Sequence, residues 1–262
     1  MKPFIVRLVS FSKGVGKTFI GLKIIELLKR LNVKVCIVKH AVHEIDLQDK
    51  DSMKYMSVGV DKVVLINPKK TVIFIRSETE DLEHVVNNYC HDCKFIIVEG
   101  YKRSSLGYAI PIINDVDELS RLSEISGQIY AIVTRNVEVM DLVKKMNLKY
   151  FNFNQTEQLA YELYSEAFKH IYNQLPKTNC EMCGFSSCEE YVKAVLSGKV
   201  RAECIFDVNV KLIVNDRYVY LNPFVKKLLK NLIKAFIVSL KNVPKDVRKV
   251  ILEISEVNED RS

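Results

Sequence analysis

Short apolar runs alternate with amphipathic stretches through about the first 150 residues of the chain. Runs rich in Val, Ile and Phe predict β-strands, namely FIVRLVSF, VKVCIVKH, KVVLIN, TVIFIRS, KFIIVEG, YAIPIIN and IYAIVTR. Because almost every position in them is apolar, we expect these strands to be buried on both faces of a sheet. Helical spacing of apolar residues occurs between or after several of them, in stretches such as GLKIIELLKRL, MDLVKKMN and EQLAYELYSEAFKHIYNQL. The alternation predicts an α/β fold with a mostly parallel sheet flanked by helices.

The pattern changes after Pro176, because four of the seven cysteines fall between residues 177 and 207. Farther on, VNVKLIVNDRYVYL predicts a β-hairpin that turns at Asn215-Asp216. The stretch PFVKKLLKNLIKAFIVSLK has one apolar helical stripe, and RKVILEISEV predicts a last strand. A membrane-surface helix shows a similar pattern, but the flanking strands favour packing on a small sheet. We therefore predict a large domain over residues 1–176, a cysteine-rich module over 177–207 and a ββαβ cap or oligomer-forming element over 208–262.

Composition narrows the choice of compartment and partners. The 262 residues are 48% hydrophobic, enough for a sizeable core, and carry a formal net charge of +7. This charge suits phosphate-bearing ligands or a negatively charged partner, but the lysines are spread singly along helices, which argues against nucleic acid. The apolar runs are too short to span a membrane, and the first is broken by Arg7, unlike a secretory signal. We expect a cytoplasmic protein, in which cysteines bind metal more often than they form disulfides.

A glycine-rich segment, SFSKGVGKT, follows the first predicted strand and precedes the first predicted helix. This is the context of a phosphate-binding loop, in which Gly14 and Gly16 let backbone N–H groups turn toward a phosphate. Lys17 is placed to reach the terminal phosphates, and Thr18 to hold Mg²⁺. The strict pattern has glycine where this chain has Phe11, and a one-residue insertion in the loop reconciles the two. An ordinary turn is the alternative, but the spacing favours nucleotide contacts from Ser12, Lys13, Gly14, Val15, Gly16, Lys17, Thr18 and Phe19.

Polar residues directly follow two other predicted strands. His40, His43 and Asp46 come after the second strand, and Glu99 ends the buried strand FIIVEG. Ligands of open α/β sheets lie at the carboxyl ends of the strands, so we expect these side chains to face the phosphates. A carboxylate such as Glu99, at the end of a buried strand beside a phosphate loop, is suited to position Mg²⁺ or a water molecule.

These residues carry a family resemblance. Lys39-His40, His43, Asp46, Lys50-Asp51-Ser52 and Gly59, together with Glu99-Gly100-Tyr101-Lys102, resemble the motifs of the MobB family, molybdopterin-guanine dinucleotide biosynthesis protein B. The resemblance spans roughly residues 4 to 170 and implies a GTP-binding, weakly hydrolysing P-loop protein that is often a homodimer. The implied partners are molybdopterin and either the molybdenum cofactor guanylyltransferase, which joins GMP to molybdopterin, or a molybdoenzyme apoprotein.

The resemblance also implies roles for the residues around the loop. Gly16, Lys17 and Thr18 hold phosphates and Mg²⁺, and Glu99 is the acidic residue of the Mg²⁺ site. Lys17 is expected to stabilise charge on the phosphates while Glu99 and Asp46 organise Mg²⁺ and water, which makes these three the candidate catalytic residues. After the predicted strand AIVT, the family tends to have an acidic residue that could read guanine, whereas this chain has Arg135-Asn136. The preference for GTP over ATP is therefore implied by the family alone.

His40, His43 and Lys102 complete the residues expected to contact the bound nucleotide or pterin. His40, His43 and Asp46 could instead form a metal site, or be solvated polar groups of the loop. Three ligands on one short loop rarely complete a metal shell, so a switch-loop role is favoured.

Two cysteines of the predicted large domain form a lone C-x-x-C, Cys90 and Cys93. Because no second pair lies nearby in the sequence, they do not complete a zinc knuckle. We expect two reduced thiols, with a redox pair or a dimer-bridging metal as alternatives. Cys36 lies inside a predicted strand and is expected in the core.

The remaining cysteines, Cys180, Cys183, Cys188 and Cys204, follow the spacing C-x2-C-x4-C-x15-C. Zinc ribbons usually show two C-x-x-C pairs, whereas iron–sulfur sites often take three cysteines from one loop and a fourth from a distance. A helix is predicted between Cys188 and Cys204, and Gly184 allows close backbone approach to sulfur. The segment resembles the small four-cysteine [4Fe-4S] domain of corrinoid iron–sulfur proteins, with structural zinc as the alternative. The resemblance leaves open whether a cluster is structural, transfers electrons or senses oxidation.

Together these features predict a cytoplasmic GTP-binding accessory protein of molybdenum cofactor synthesis with an iron–sulfur module. Two other functions remain open. A metal-insertion chaperone NTPase would carry its metal on His40, His43 or the Cys90–Cys93 pair. A redox-responsive module would bind nucleotide without turnover.

Overall fold

The computed structural model describes residues 1–40, 60, 62–75, 79–181, 183–200, 204, 210, 212–214, 217–219, 221, 223–241, 243, 247 and 250–252. The chain separates into two units, Met1–Ala202 and Glu203–Ser262, and each is described by itself. The first unit contains the predicted sheet and the glycine-rich loop.

The strands of the first unit are β1 (Phe4–Val9), β2 (Val35–Lys39), β3 (Lys62–Asn67), β4 (Lys70–Ile75), β5 (Phe95–Glu99), β6 (Tyr108–Pro111), β7 (Gln128–Ile129), β8 (Ile132–Thr134) and β9 (Tyr150–Asn152). Five of them form one sheet in the order β2-β5-β1-β6-β7, and every pairing in it is parallel. β8 and β9 also pair in parallel, and a bridge between Ile112 and Val133 joins β8 to the continuation of β6. The predicted mostly parallel sheet is confirmed.

Helices flank this sheet. They are α1 (Lys17–Arg30), α2 (Leu82–Tyr89), α3 (Val137–Lys145), α4 (Thr156–Tyr172) and α5 (Cys188–Leu196), together with the 3₁₀ helices Val116–Glu124 and Phe153–Gln155. The three helices predicted between or after the strands are confirmed as α1, α3 and α4, and the predicted helix after Cys188 is confirmed as α5. Each buries an apolar stripe, such as Ile20, Ile24 and Leu27 of α1, so the helical spacing of the sequence matches the packing.

β1 lies at the centre of the sheet, and all six of its residues are buried. They include Arg7, whose guanidinium donates to the carbonyl oxygens of Tyr101, Leu106 and Ser126 at 2.8, 2.9 and 2.7 Å. A buried charge is tolerated only when it is well hydrogen-bonded, and three carbonyl acceptors provide this. Burial lowers the pKa of Arg7. The contacts attach the loop that follows Glu99 to the central strand.

β3 and β4 correct one prediction. Both were expected in the main sheet, but among the described residues they pair with each other alone, as an antiparallel two-stranded hairpin. The turn between them is too short for the crossover of a dozen or more residues that parallel neighbours require. Asn67 closes it, because its Oδ1 accepts from the backbone N–H groups of Lys69 and Lys70 at 2.8 Å each.

A disulfide between Cys36 and Cys90 corrects a second prediction, in which Cys90 was a reduced thiol. Cys36 lies on β2 and Cys90 caps the end of α2, and the packing of these elements brings their Cα atoms to 5.9 Å. That separation lies within the usual range for a disulfide. Cys36 packs against the core cluster that contains Cys90, as expected, and Cys93 is buried next to Asp92.

The second unit contains β10 (Leu212–Val214), β11 (Arg217–Val219) and α6 (Pro223–Ser239). The two strands pair antiparallel, which confirms the predicted hairpin. Of the predicted last strand, residues 250–252 are not in a strand, and the remainder lies outside the described residues. None of the helices in the described parts of the chain combines the length and apolar character needed to cross a membrane.

Candidate functional site

The loop between β1 and α1 turns at two glycines with left-handed backbone angles. Gly14 has φ +73°, and Gly16, the N-cap of α1, has φ +104°; residues with a Cβ rarely adopt such angles. The N-terminus of α1 therefore opens onto this loop, with N–H groups and a helix dipole that favour an anion. Phe11, where the strict pattern has glycine, lies under two cations, since its ring centroid is 5.1 Å from Lys102 Nζ and 4.5 Å from Arg121 Cζ.

Lys17 begins α1 and folds back over the loop. Its Nζ donates to Ser10 Oγ at 2.5 Å and lies 3.5 Å from the carbonyl oxygen of Ser12. Burial lowers the pKa of Lys17, and the nearby carboxylates of Glu99 and Glu118 oppose that shift. A partly desolvated ammonium attracts an anion more strongly than one in bulk water, because the effective dielectric constant is lower.

Thr18 and Glu99 meet at the carboxyl end of the sheet. Thr18 Oγ1 donates to both carboxylate oxygens of Glu99, at 3.0 and 3.1 Å. The contact follows from the fold, because Glu99 ends β5, the parallel neighbour of β1, and Thr18 lies in the first turn of α1. Lys39 Nζ is 3.6 Å from Glu99 Oε1. Hydroxyl and carboxylate oxygens are ligands that Mg²⁺ accepts, so this pair could hold the ion.

His40 directly follows β2, and its backbone N–H donates to the carbonyl oxygen of Glu99 at 3.0 Å. Its ring centroid is 4.8 Å from that of Tyr101, and its Nε2 is 3.3 Å from Glu80 Oε2. His43 and Asp46 lie outside the described residues, so the expected switch loop and its alternative metal site stay predictions. Lys102 pairs with Glu124 at 3.2 Å.

Two residues of this site were missed from the sequence. Glu118 is only 7% exposed, and its Oε1 accepts from Ser12 Oγ at 2.5 Å, while its Oε2 has no partner among the described residues. Asn114 donates from Nδ2 to the carbonyl oxygen of Val15 at 3.2 Å. Asn114 follows a buried apolar run, which is a signal for the carboxyl end of a strand, but Glu118 lies in a polar 3₁₀ helix without such a signal.

The cysteine-rich segment forms a turn that leads into α5. Asn179 and Glu181 have positive φ angles of 46° and 55°, and Asn179 Oδ1 accepts from the N–H of Cys188 at 2.8 Å. Cys180 is exposed, Cys183 is half-buried, and Cys188 is buried as the first residue of α5. Within the residues described, no three His, Cys, Asp or Glu side chains are grouped closely enough to hold a metal ion.

The parallel sheet, with its glycine loop between β1 and α1, gives the first unit a P-loop NTPase-like fold. The chain belongs to the MobB family, described as molybdopterin guanine dinucleotide synthesis protein B, whose profile matches residues 5–135. A crystal structure of molybdopterin-guanine biosynthesis protein B shares this fold, with 23% identity, 62% of this chain and 99% of that chain covered, and a TM-score of 0.50. Bacillus subtilis MobB gives 21% identity, 62% and 96% coverage, and a TM-score of 0.51.

A curated relative extends over almost the whole chain. It is the protein of Methanocaldococcus jannaschii named "Putative molybdopterin-guanine dinucleotide biosynthesis adapter protein", which is 29% identical over 251 residues, covering 94% of this chain and 96% of the relative. A second family profile, described as "Putative Fe-S cluster", matches residues 175–206 and so includes the four cysteines of that segment.

Proposed function

We propose that this chain is a GTP-binding adapter protein in the synthesis of molybdopterin guanine dinucleotide. The family and the name of the M. jannaschii relative support the pathway. The observation that best supports nucleotide binding is the hydrogen bond of 3.0 Å from Thr18 Oγ1 to Glu99 Oε1. It lies beside the loop whose two glycines have left-handed backbone angles. A hydroxyl hydrogen-bonded to a carboxylate, next to a helix N-terminus that favours an anion, supports a site for Mg²⁺ and phosphate.

In this proposal the loop from Ser12 to Thr18 surrounds the β- and γ-phosphates with N–H groups. Lys17 releases Ser10 and contacts the terminal phosphates, where it offsets developing negative charge during slow hydrolysis. Thr18 and Glu99 would hold Mg²⁺, and Asp46 would help to orient the attacking water. Bound Mg²⁺ would neutralise phosphate charge. The result is a weak GTPase whose nucleotide state is communicated to a partner.

Mg·GTP titration by calorimetry tests the site. Lys17→Ala removes a charged hydrogen-bond donor, so its Kd is expected to rise by roughly 10- to 100-fold. Thr18→Val keeps the side-chain shape and is expected to abolish the dependence of binding on Mg²⁺. Lys23→Ala is the matched control, because Lys23 lies on α1 and pairs with Glu26 on the exposed face. If Lys17→Ala binds Mg·GTP as tightly as the wild type, the phosphate role of Lys17 is wrong.

The proposed partner is the molybdenum cofactor guanylyltransferase or a molybdoenzyme apoprotein, bound by a cytoplasmic homodimer. The formal charge of +7 suits a partner or a ligand with negative charge. Light scattering of the purified chain alone measures whether it forms a homodimer. Light scattering with each candidate partner, in the presence of Mg·GTP or Mg·GDP, measures whether a complex forms. Equal affinity for the partner with and without nucleotide would contradict an adapter controlled by GTP.

The cysteine-rich segment is proposed to bind a [4Fe-4S] cluster through Cys180, Cys183, Cys188 and Cys204. Support comes from the family match over residues 175–206 and from the donor set, since thiolates suit iron–sulfur clusters. Cys188 begins α5, where the helix dipole favours a thiolate. A Cβ built on Gly184 would meet no atom within 4 Å, so the turn has open space beside Cys183.

Anaerobic purification with iron, sulfide and zinc analysis tests this assignment. Four iron and four sulfide per chain are expected, and Cys188→Ser is expected to lose most of both. Stoichiometric zinc without sulfide would establish the structural-zinc alternative instead.

A further inference from the structure

An aromatic and cationic stack borders the phosphate loop. The rings of Phe19 and Phe153 are nearly parallel, 12° apart in orientation, with centroids 6.1 Å apart. Arg135 lies over the Phe153 ring, with its Cζ 4.2 Å from the ring centroid. A Cβ built on Gly16 would lie 2.7 Å from Phe153 Cε1 and 3.3 Å from Arg135 Nη2, so the stack is in direct contact with the loop.

The fold fixes these side chains at the ligand-binding edge of the sheet. Arg135 directly follows β8, and Phe153 directly follows β9, so both lie at the carboxyl ends of parallel strands. Phe153 begins a 3₁₀ helix that is held by a capping box between Asn152 and Gln155. Phe19 lies in the first turn of α1. The stack is thus built on rigid elements that converge on Gly16.

The exposed parts of the stack offer a flat, cationic face. Arg135 is exposed, and Phe19 is 49% exposed. A planar guanidinium supported on an aromatic ring stacks well against a nucleobase, and aromatic rings do the same for any base. A triphosphate held at Gly16 would place its nucleoside within reach of this face.

The polar groups beside the stack are already occupied. Asn136 caps α3 through Oδ1, which accepts from the N–H of Glu138 at 2.9 Å, and its Nδ2 donates to the carbonyl oxygen of Asn114 at 3.0 Å. Asn114 in turn uses Nδ2 on the carbonyl oxygen of Val15 and Oδ1 on the N–H of Arg135. Both side-chain amides are therefore engaged in hydrogen bonds within the protein. The two residues that follow β8 are Arg135 and Asn136, and neither is acidic. Neither Arg135 nor Asn136 therefore offers a carboxylate that would select the paired N–H donors of guanine.

We propose that Arg135 and Phe153 form a stacking platform for the purine base, which supports the ring without reading its edge. The site therefore accepts adenine and guanine nucleotides with similar affinity. This inference rests on the proposed binding of nucleotide at the loop, and it concerns base recognition only.

The test is calorimetric titration of the full chain with Mg·ATP, Mg·GTP, Mg·UTP and inorganic tripolyphosphate. The expected Kd values for Mg·ATP and Mg·GTP differ by less than about fivefold, and Mg·UTP binds more weakly because a pyrimidine stacks over a smaller area. Phe153→Leu and Arg135→Ala are each expected to weaken both purine nucleotides by roughly 5- to 100-fold while tripolyphosphate affinity is unchanged. Arg103→Ala, which removes an exposed arginine from a different loop, is the control. Thermal unfolding of each variant shows whether its fold is retained.

Two results overturn the platform and leave nucleotide binding intact. One is a preference of more than tenfold between Mg·GTP and Mg·ATP in the wild type. The other is unchanged purine affinity in folded Phe153→Leu and Arg135→Ala. If neither the nucleotides nor tripolyphosphate bind the wild type, the proposed function fails, and the platform fails with it.

Discussion

Arg7→Met tests whether the buried guanidinium of β1 holds the loop that follows Glu99. Methionine approximates the apolar part of arginine but removes its charge and every N–H donor. The carbonyl oxygen of Tyr101 would keep a second donor, the N–H of Ser104 at 3.0 Å, whereas those of Leu106 and Ser126 lose their contact with Arg7. A buried polar group that loses its partner costs about 1–3 kcal/mol, so two of them cost about 2–6 kcal/mol. Because the variant no longer buries a charge, which offsets part of this loss, we expect about 3 kcal/mol.

Hydrogen exchange of the β1 amides measures this loss of stability within the first unit. A loss of about 3 kcal/mol in opening free energy corresponds to roughly 150-fold faster exchange. Lys23→Met, on the exposed face of α1, is expected to exchange like the wild type. Exchange within threefold of the wild type in Arg7→Met would refute the reasoning, because the carbonyl groups would then be satisfied without the guanidinium.

Three further predictions concern charges and the disulfide. Glu118→Gln removes a buried negative charge beside the phosphate loop, so Mg·GTP binding is expected to tighten by roughly 3- to 30-fold in calorimetry; unchanged affinity would contradict this. Hydrogen bonds from Arg121 and, to a smaller extent, Lys102 lower the pKa of Glu124 to about 2. Because this folded-state pKa lies below the ordinary value of 4.5, the stabilisation is present at neutral pH and is lost as the pH falls from about 4.5 to about 2. The Tm of Glu124→Gln should therefore be lower than that of the wild type at pH 7, and the difference should shrink as the pH falls from about 4.5 toward 2. Reduction of the Cys36–Cys90 disulfide, which closes a 54-residue separation, is expected to destabilise the chain by about 4 kcal/mol; a Tm that is insensitive to reductant would argue against the disulfide.

The loop and its two flanking elements were predictable because their determinants are local. β1 is apolar at five of its six positions, and α1 repeats its apolar residues at helical spacing. Between them only glycine adopts the left-handed angles of positions 14 and 16 without strain. The apolar pattern of β1, the helical spacing of α1 and the two glycines between them therefore all favour the same strand–turn–helix unit.

The errors arose where tertiary contacts decide the outcome. Apolar periodicity predicted β3 and β4 correctly as strands but does not give their direction, which the short turn at Asn67 determines. The pairing of Cys36 with Cys90 depends on how α2 packs on β2, and 54 residues separate them in the chain. β9 has three residues, too few for a periodic pattern, so the position of Phe153 beside Gly16 was not visible from the sequence.

The helix that follows Cys188 is attached to the sheet at the end of β2 remote from Glu99. The N–H of Lys34, directly before β2, donates to the carbonyl oxygen of Leu196 at 2.7 Å, and a Cβ built on Gly198 would lie 2.6 Å from Lys34 Cδ. Lys39, at the other end of β2, lies 3.6 Å from Glu99. Because a strand rises about 3.3 Å per residue, Lys34 and Lys39 are about 16 Å apart. α5 and the proposed nucleotide site therefore contact opposite ends of one strand, and a ligand on the cysteine segment would influence bound phosphates through β2 or through a shared partner and not by direct contact.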